Sequence, residues 1–429
     1  MSGGRRWVAF LALALVAGGY AAVSPRPEAN AGAAIPWAAP RLQPAQSPVP
    51  WAAPHSPAAS PGPADEATAA AGPVSPGPVT PAPSPAPPCQ SASLADRAGR
   101  VLLVGLPDVT SANDPLLAEL ADVGVGGVLL THTNVVSERQ VTNLVGTLKT
   151  TARGPLVVSA DEEPGRVRSF EDLIGFVPSA RRLANERTPD EVRDLGRTTG
   201  QVLARVGVTV DLAPVADLDD GPREATIGDR SFSADPVKAG DYALAYARGL
   251  QDAGVTPVVK HFPGHGKASG DDHTGDALAT TPIAALMETD VAAFRGLVNA
   301  GAPVVMMGNV VYEALDPDAP ASMSPAAYRL LRSLGFQGAA ITDSIGMGAV
   351  NLRWDYGEAT VKALAAGADG VLGTDGWGAR WMRDAVIEAV QDGRLPEARL
   401  NEAAARMTTL AGGDPQALAC SRTDLPTLR

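Results

Sequence analysis

The chain has 429 residues, 45% of them hydrophobic, with a net charge of −12 and a sequence pI near 4.9. Length alone would allow two or three domains. The acidic balance, with no basic run, excludes nucleic acid and anionic lipid surfaces as natural partners and says nothing further about function.

At the N-terminus, Arg5 and Arg6 precede an unbroken apolar run from Trp7 to Val23. A run of 17 residues lies at the lower limit for a membrane span and near the upper limit for a signal-peptide core. Gly19-Tyr20-Ala21 places small residues at the −3 and −1 positions of a signal peptidase site. Residues 1–23 therefore read as a cleaved export signal, with a retained N-terminal membrane anchor as the alternative. The Arg pair does not choose between the Sec and twin-Arg routes, and no Cys lies near the end of the run to accept a lipid. Residues 24–92 hold half of the 38 prolines, filled in with Ala and Ser, and Pro-Trp-Ala-Ala-Pro occurs at both 36–40 and 50–54. Such a stretch offers too few large apolar groups to offset the entropy of ordering it, so it is expected to be an extended, semi-rigid spacer. A spacer behind an export signal places the folded part outside the cytoplasmic membrane, in or near a cell wall.

The two cysteines, Cys89 and Cys420, bracket everything that reads as folded. In an exported protein they have one possible pairing, and domain ends often lie close together, so a disulfide is expected. Between them, over 93–420, short apolar runs recur in chain order: 101–104, 127–130, 156–158, 208–210, 257–259, 303–305, 339–341 and 370–372. Runs of this kind, buried on both faces, belong to parallel strands. Helical stretches separate them, such as 191–204 and 283–299. Eight such units predict a TIM-type (β/α)₈ barrel rather than an open doubly wound sheet. Polar residues stand at the strand ends: Asp161, Asp211, Lys260 with His261, Asn309, Asp343 and Asp375. In a barrel these ends converge on one face, where substrates bind.

Three of the five histidines fall within thirteen residues, in Lys260-His261-Phe262-Pro263-Gly264-His265-Gly266 and then Asp271-Asp272-His273. His261 and His265 are four apart, a zinc spacing only on a helix, which Pro263 and Gly264 prevent; no metal and no cofactor is expected. Gly264, Gly266 and Gly270 instead suggest a flexible loop carrying Asp271 two residues before His273. A carboxylate on one imidazole nitrogen fixes the tautomer and raises the basicity of the other, so this pair could protonate a departing oxygen and later deprotonate water.

KHFPGHG with a spaced Asp-x-His resembles glycoside hydrolase family 3, in particular its single-domain β-N-acetylglucosaminidases. The resemblance extends through Val158 to Val167, Asp211 to Val215, Ile227 to Ser233, Ile341 to Met347 and Ala366 to Asp369. It implies Asp343 as nucleophile, His273 as acid/base and Asp271 as support for that histidine. Asp161, Arg230, Lys260 and His261 would hold the sugar, and Arg230 would donate to the N-acetyl carbonyl or a hydroxyl. The sequence departs from the family pattern at Pro164, at Ser169 (where Arg168 is a possible substitute for a sugar-binding arginine), at Asn309 and at Ser344. Trp354 and Trp377 follow the last two strands and read as packing or loop anchors, with sugar stacking as the second option. The expectation is a monomeric, retaining exo-β-N-acetylglucosaminidase acting on carbohydrate, with GlcNAc–MurNAc fragments of peptidoglycan as the implied substrate. Two rivals are a phosphorylase, in which phosphate replaces water, and a wall-binding barrel without catalysis.

Overall fold

The computed structural model describes residues 92–419 together with 425, 426 and 428. The expected export signal, the spacer up to residue 91, Cys89 and Cys420 lie outside them. No described helix is long and apolar enough to cross a membrane.

Eight parallel strands form the centre: β1 (Leu102–Gly105), β2 (Gly127–Leu130), β3 (Val157–Ala160), β4 (Val210–Asp211), β5 (Thr256–Phe262), β6 (Val304–Met307), β7 (Ala339–Thr342) and β8 (Val371–Gly373). Each pairs with its sequence neighbour, and β8 pairs back onto β1 through Leu102 opposite Val371. A parallel bridge from Ile341 to Gly370, with the Thr342 amide donating to Gly370 O at 3.0 Å, joins β7 to β8 and completes the ring. This is the TIM-type barrel that the eight apolar runs predict, with boundaries one to three residues off at most ends.

Alternation within these short strands decides where each side chain goes. Leu103, Leu129, Val157, Val210, Val258, Val304, Met306, Ile341 and Leu372 form the inner cluster, which Met407 and Leu410 of the helix Glu397–Leu410 join. Their neighbours Leu102, Val104, Val128, Leu130, Val158, Val259, Val305 and Val371 face the surrounding helices in the larger outer cluster. The interior is thus packed solid below, leaving the strand C-terminal ends open for a site.

One expectation needs correction, and one sheet was not foreseen. The stretch 283–299 is two helices, Ile283–Glu288 and Asp290–Asn299, because the chain turns at Thr289 (φ −111°, ψ −95°). The Thr289 hydroxyl lies 2.8 Å from both Ala285 O and the buried Asp290 carboxylate, sharing its one proton between them at the break. A second, three-stranded sheet of Ala277–Ala279, Val310–Tyr312 and Asp316–Pro320 is built from the segments after β5 and β6. Short strands of mixed polarity such as Asp316–Pro320 carry no periodic signal.

Candidate active site

A cavity of about 380 Å³ opens at the C-terminal ends of the strands. Asp161, Arg230, Lys260, His261, His273 and Asp343 all line it, so six of the seven expected site residues meet at one place. The seventh, Asp271, touches His273 from the solvent side.

One wall is an ion network. The Lys260 ammonium, 1% exposed, lies 2.6 Å from both Asp161 Oδ1 and Glu163 Oε1. Burial works against that charge, but the two carboxylates outweigh it and raise the Lys260 pKa. Arg230 grips Glu163 with a two-pronged contact of 2.8 and 2.7 Å. Burial alone would raise the Glu163 pKa, yet Arg230 and Lys260 hold it well below the usual carboxylate range. Arg230 is therefore largely spoken for by Glu163, and it reaches the cavity as the outer edge of a fixed pair.

His261 sits in the centre. Its Nδ1 lies 2.6 Å from Asp217 Oδ2, and Asp217 Oδ1 accepts the backbone amides of His261 and His265 at 3.2 and 2.7 Å. Burial opposes ionisation of Asp217, but His261 and His265 lower its pKa below the ordinary value. An ionised Asp217 makes Nδ1 the donor, which directs Nε2 to the side of Asp343, 3.9 Å from its Oδ2. Asp343 follows β7 and keeps Oδ1 fixed by the Ser344 amide at 2.7 Å. Asn309 supports the same turn from below: its amide nitrogen donates to Ser344 O at 2.9 Å, and its oxygen accepts from Ser322 at 2.5 Å.

The opposite side is a loop. A bridge between Ser269 and Leu278, with reciprocal amide–carbonyl bonds of 2.9 and 2.8 Å, closes the segment that carries His273. Its Nδ1 lies 3.0 Å from Asp271 and 3.4 Å from Asp272. The His273 side chain is 60% exposed. Its pKa is pushed up to about 9, by the Asp272 carboxylate first and by Asp271 in addition, against partial burial. The hydrogen bond goes to Asp271, and Asp272 adds a buried charge beside it. Water screens Asp271, whose side chain is half exposed, whereas Asp272 is buried. Asp271, Asp272 and His273 are also the one group among the described residues close enough to share a cation. Both carboxylates, however, lie beside the same imidazole nitrogen, which hydrogen-bonds to Asp271 at 3.0 Å and has the Asp272 charge at 3.4 Å.

Several expectations are corrected here. The loop glycines have a use in close packing that the sequence did not reveal. A Cβ on Gly266 would meet Leu218 O at 1.9 Å, and Gly270 (φ +95°) would meet Asp276 O at 2.3 Å. Three of the polar strand ends do not reach the cavity. Asp211 is fully buried, accepts the Glu162 amide at 3.0 Å, and burial pushes its pKa well above the ordinary value. Asn309 braces the Ser344 turn, and Asp375 caps a single helical turn by accepting the Trp377 amide at 3.0 Å. Ser169 donates to Asp161 O at 2.9 Å, while Arg168 is paired with Glu162 and does not line the cavity. Neither Trp354 nor Trp377 lines it either; Trp354 packs between Arg353 and Lys362. Four residues of the site escaped the reading of the sequence: Glu163, Asp217, His265 and Asp272. Glu163, His265 and Asp272 stand inside motifs already singled out, and only Asp217, beyond the β4 run, had no motif to mark it.

The model of the glycosyl hydrolase family 3 N-terminal domain matches residues 96–410, from the first helix to the end of the last long one. The chain belongs to glycosyl hydrolase family 3. Within the family it is similar to beta-hexosaminidase LpqI of Mycobacterium tuberculosis, with 38% identity over 363 residues, 81% of this chain and 91% of that protein. Among solved structures it is similar to a family 3 glycosyl hydrolase from Mycobacterium smegmatis (TM-score 0.70, 40% identity, 74% of this chain and 97% of that one). It is also similar to a β-N-acetylhexosaminidase from Beutenbergia cavernae (TM-score 0.68, 29% identity, 75% and 99%). The resemblance carried by KHFPGHG thus extends over the whole family 3 barrel.

Proposed function

We propose that this family 3 enzyme is a retaining exo-β-N-acetylglucosaminidase that removes terminal β-GlcNAc. The observation that carries it is the convergence of a carboxylate, Asp343, and an imidazole, His273, on one cavity already lined by Asp161, Arg230, Lys260 and His261. The hexosaminidase-named relatives support the same substrate class. A volume of about 380 Å³ lies at the small end for ligand sites and suits one terminal sugar better than the middle of a chain.

In this reading Asp343 attacks the anomeric carbon while His273 delivers a proton from Nε2 to the departing glycosidic oxygen. The C–O bond breaks, the leaving alcohol carries the proton, and a glycosyl-enzyme ester forms on Asp343. Water then attacks the same carbon, and neutral His273 takes its proton as the ester bond breaks, restoring both groups. Lys260 and Asp161 suit ring hydroxyls as donor and acceptor. Arg230, held by Glu163, presents its remaining edge to the N-acetyl group or a hydroxyl. The Asp271 carboxylate orients His273 from outside. The export signal and spacer read from the first 92 residues motivate an extracytoplasmic site of action, secreted or anchored, with peptidoglycan fragments as source of the sugar.

The test is an assay of purified protein on a chromogenic β-GlcNAc glycoside, with and without phosphate, identifying the sugar released. Free GlcNAc with retained configuration supports the proposal, and a sugar 1-phosphate that appears only with phosphate replaces it with the phosphorylase. Trapping with a fluorinated sugar that keeps the N-acetyl group should label Asp343; a label on Asp161 or Asp211 overturns the assignment of the nucleophile.

A further inference from the structure

Asp272 has no part in the reaction as written, yet it is among the most constrained carboxylates in the molecule. It is 1% exposed, with one oxygen 3.1 Å from His265 Nε2 and the other 3.4 Å from His273 Nδ1. Neither oxygen has a donor aligned for a hydrogen bond, although an imidazole nitrogen stands against each. A buried acceptor in this state is costly unless cations face it. Burial opposes its ionisation, but His265 and His273 hold its pKa well below the usual range. His265 answers in kind: burial lowers its pKa, and Asp272, with Asp217 and Asp343 behind it, raises it above the ordinary value.

The backbone locks the arrangement in place. The amides of Gly348 and Ala349 donate to His273 O and Asp272 O, both at 3.0 Å. These two residues open the helical turn Gly348–Asn351, whose first amides have no partner within the helix. That turn lies five residues beyond Asp343, so the segment carrying the nucleophile also clamps the one carrying His273.

We propose that Asp272 is a second positioning carboxylate for His273, and that the row His265–Asp272–His273, rather than Asp271 alone, sets the protonation of the acid/base. The proposal rests on His273 acting as acid/base. Two carboxylates face one nitrogen, but at an effective dielectric of about 20 a buried charge acts roughly four times as strongly as one in water at about 80. The difference between 3.4 and 3.0 Å is small beside that. The Asp272 charge favours a proton at Nδ1, whose hydrogen bond goes to Asp271 at 3.0 Å, and this leaves Nε2 to lose its proton to the leaving oxygen and regain one from water. The charged groups around the row are Asp271 on the solvent side, and His261, Asp217 and Asp343 on the cavity side.

The experiment is an NMR titration of the His273 ring in the full protein, assigned by comparison with His273→Ala, alongside kcat/KM against pH. In the wild type the ring should titrate near 9, with the alkaline limb of kcat/KM following it. Asp272→Asn keeps the shape and removes the charge, and should bring both down toward the ordinary 6.5, so that activity fails at lower pH. Asp271→Asn should shift them by a smaller amount. A larger shift in Asp271→Asn than in Asp272→Asn overturns the proposal, as does an Asp272→Asn protein whose KM or stability changes while the His273 titration stays put. If Asp272→Asn does not fold, Asp271→Asn still decides: retention of a value near 9 supports Asp272, and a fall to about 6.5 removes it. The titration does not depend on the role of His273, which leaving-group kinetics test separately.

Discussion

Lys260 and His273 line one cavity and are thirteen residues apart in sequence, yet they are held by opposite means. Lys260 is 1% exposed on a strand, locked between the carboxylates of Asp161 and Glu163, the second of which is itself locked by Arg230. His273 stands on a loop with its side chain 60% exposed, fixed from behind by one buried and one exposed carboxylate. The difference matches the tasks proposed for them. A group that holds a sugar in place gains from rigidity, because any motion adds to the cost of binding. A group that gives up a proton and takes one back must change charge at each turnover, which a fully buried ion network would resist.

The comparison can be broken by variants on each side. The largest effect is expected for Asp343→Ala, which leaves no group to form the glycosyl-enzyme. Turnover should drop on the order of 10⁴-fold or more with the melting temperature unchanged. His273→Ala should slow cleavage of disaccharides on the order of 10²- to 10⁴-fold. Aryl glycosides with acidic phenol leaving groups should suffer far less in bond breaking. Added azide, which needs no deprotonation, should restore the second step and yield a β-glycosyl azide; equal slowing for all leaving groups with no azide product would remove His273 from its role.

On the wall, Glu163→Ala leaves Arg230 and Lys260 facing each other with one partner lost. Removing one member of a buried ion network costs about 3–5 kcal/mol, so denaturant unfolding should register the change along with a raised KM. Asp271→Ala on the loop should alter stability by no more than about 0.5 kcal/mol. If both variants destabilise equally, the contrast between wall and loop fails. The smallest effect is expected at Asp211, a strand-end carboxylate kept out of the cavity. Its folded-state pKa is raised by burial, so it contributes stability only at acid pH, below the unfolded value, and loses it as pH rises through the folded one. Asp211→Asn keeps an oxygen for the Glu162 amide and carries no charge. It should retain activity within about twofold and unfold no more easily at neutral pH.

Much of the site was legible because strands and motifs are local. Lys260 and His261 end a run of buried apolar residues, and a barrel has one place to send such ends. The same rule erred at Asp211, Asn309 and Asp375, since one residue along a strand or turn decides between cavity, core and cap. Gly264, Gly266 and Gly270 read as flexibility because a missing Cβ permits motion; the structure uses two of them to let backbones touch. Asp217 was missed because its importance comes entirely from what it touches. Its carboxylate collects a ring nitrogen and two amides from residues more than forty positions away.

What this sequence determines by itself is the order of eight buried strands, the barrel they close into and the chemical types gathered at its mouth. Those follow from apolar periodicity and from residue chemistry, which act over a few positions. What only the tertiary structure decides is pairing: Glu163 with Arg230 and Lys260, Asp217 with His261, and Asp272 with both His265 and His273. The strength of a charge depends on the water around it and on the partner across from it. Both are set by chain segments far apart in sequence, so Asp271 and Asp272, adjacent and identical in kind, end with one carboxylate half in solvent and the other sealed between two imidazoles.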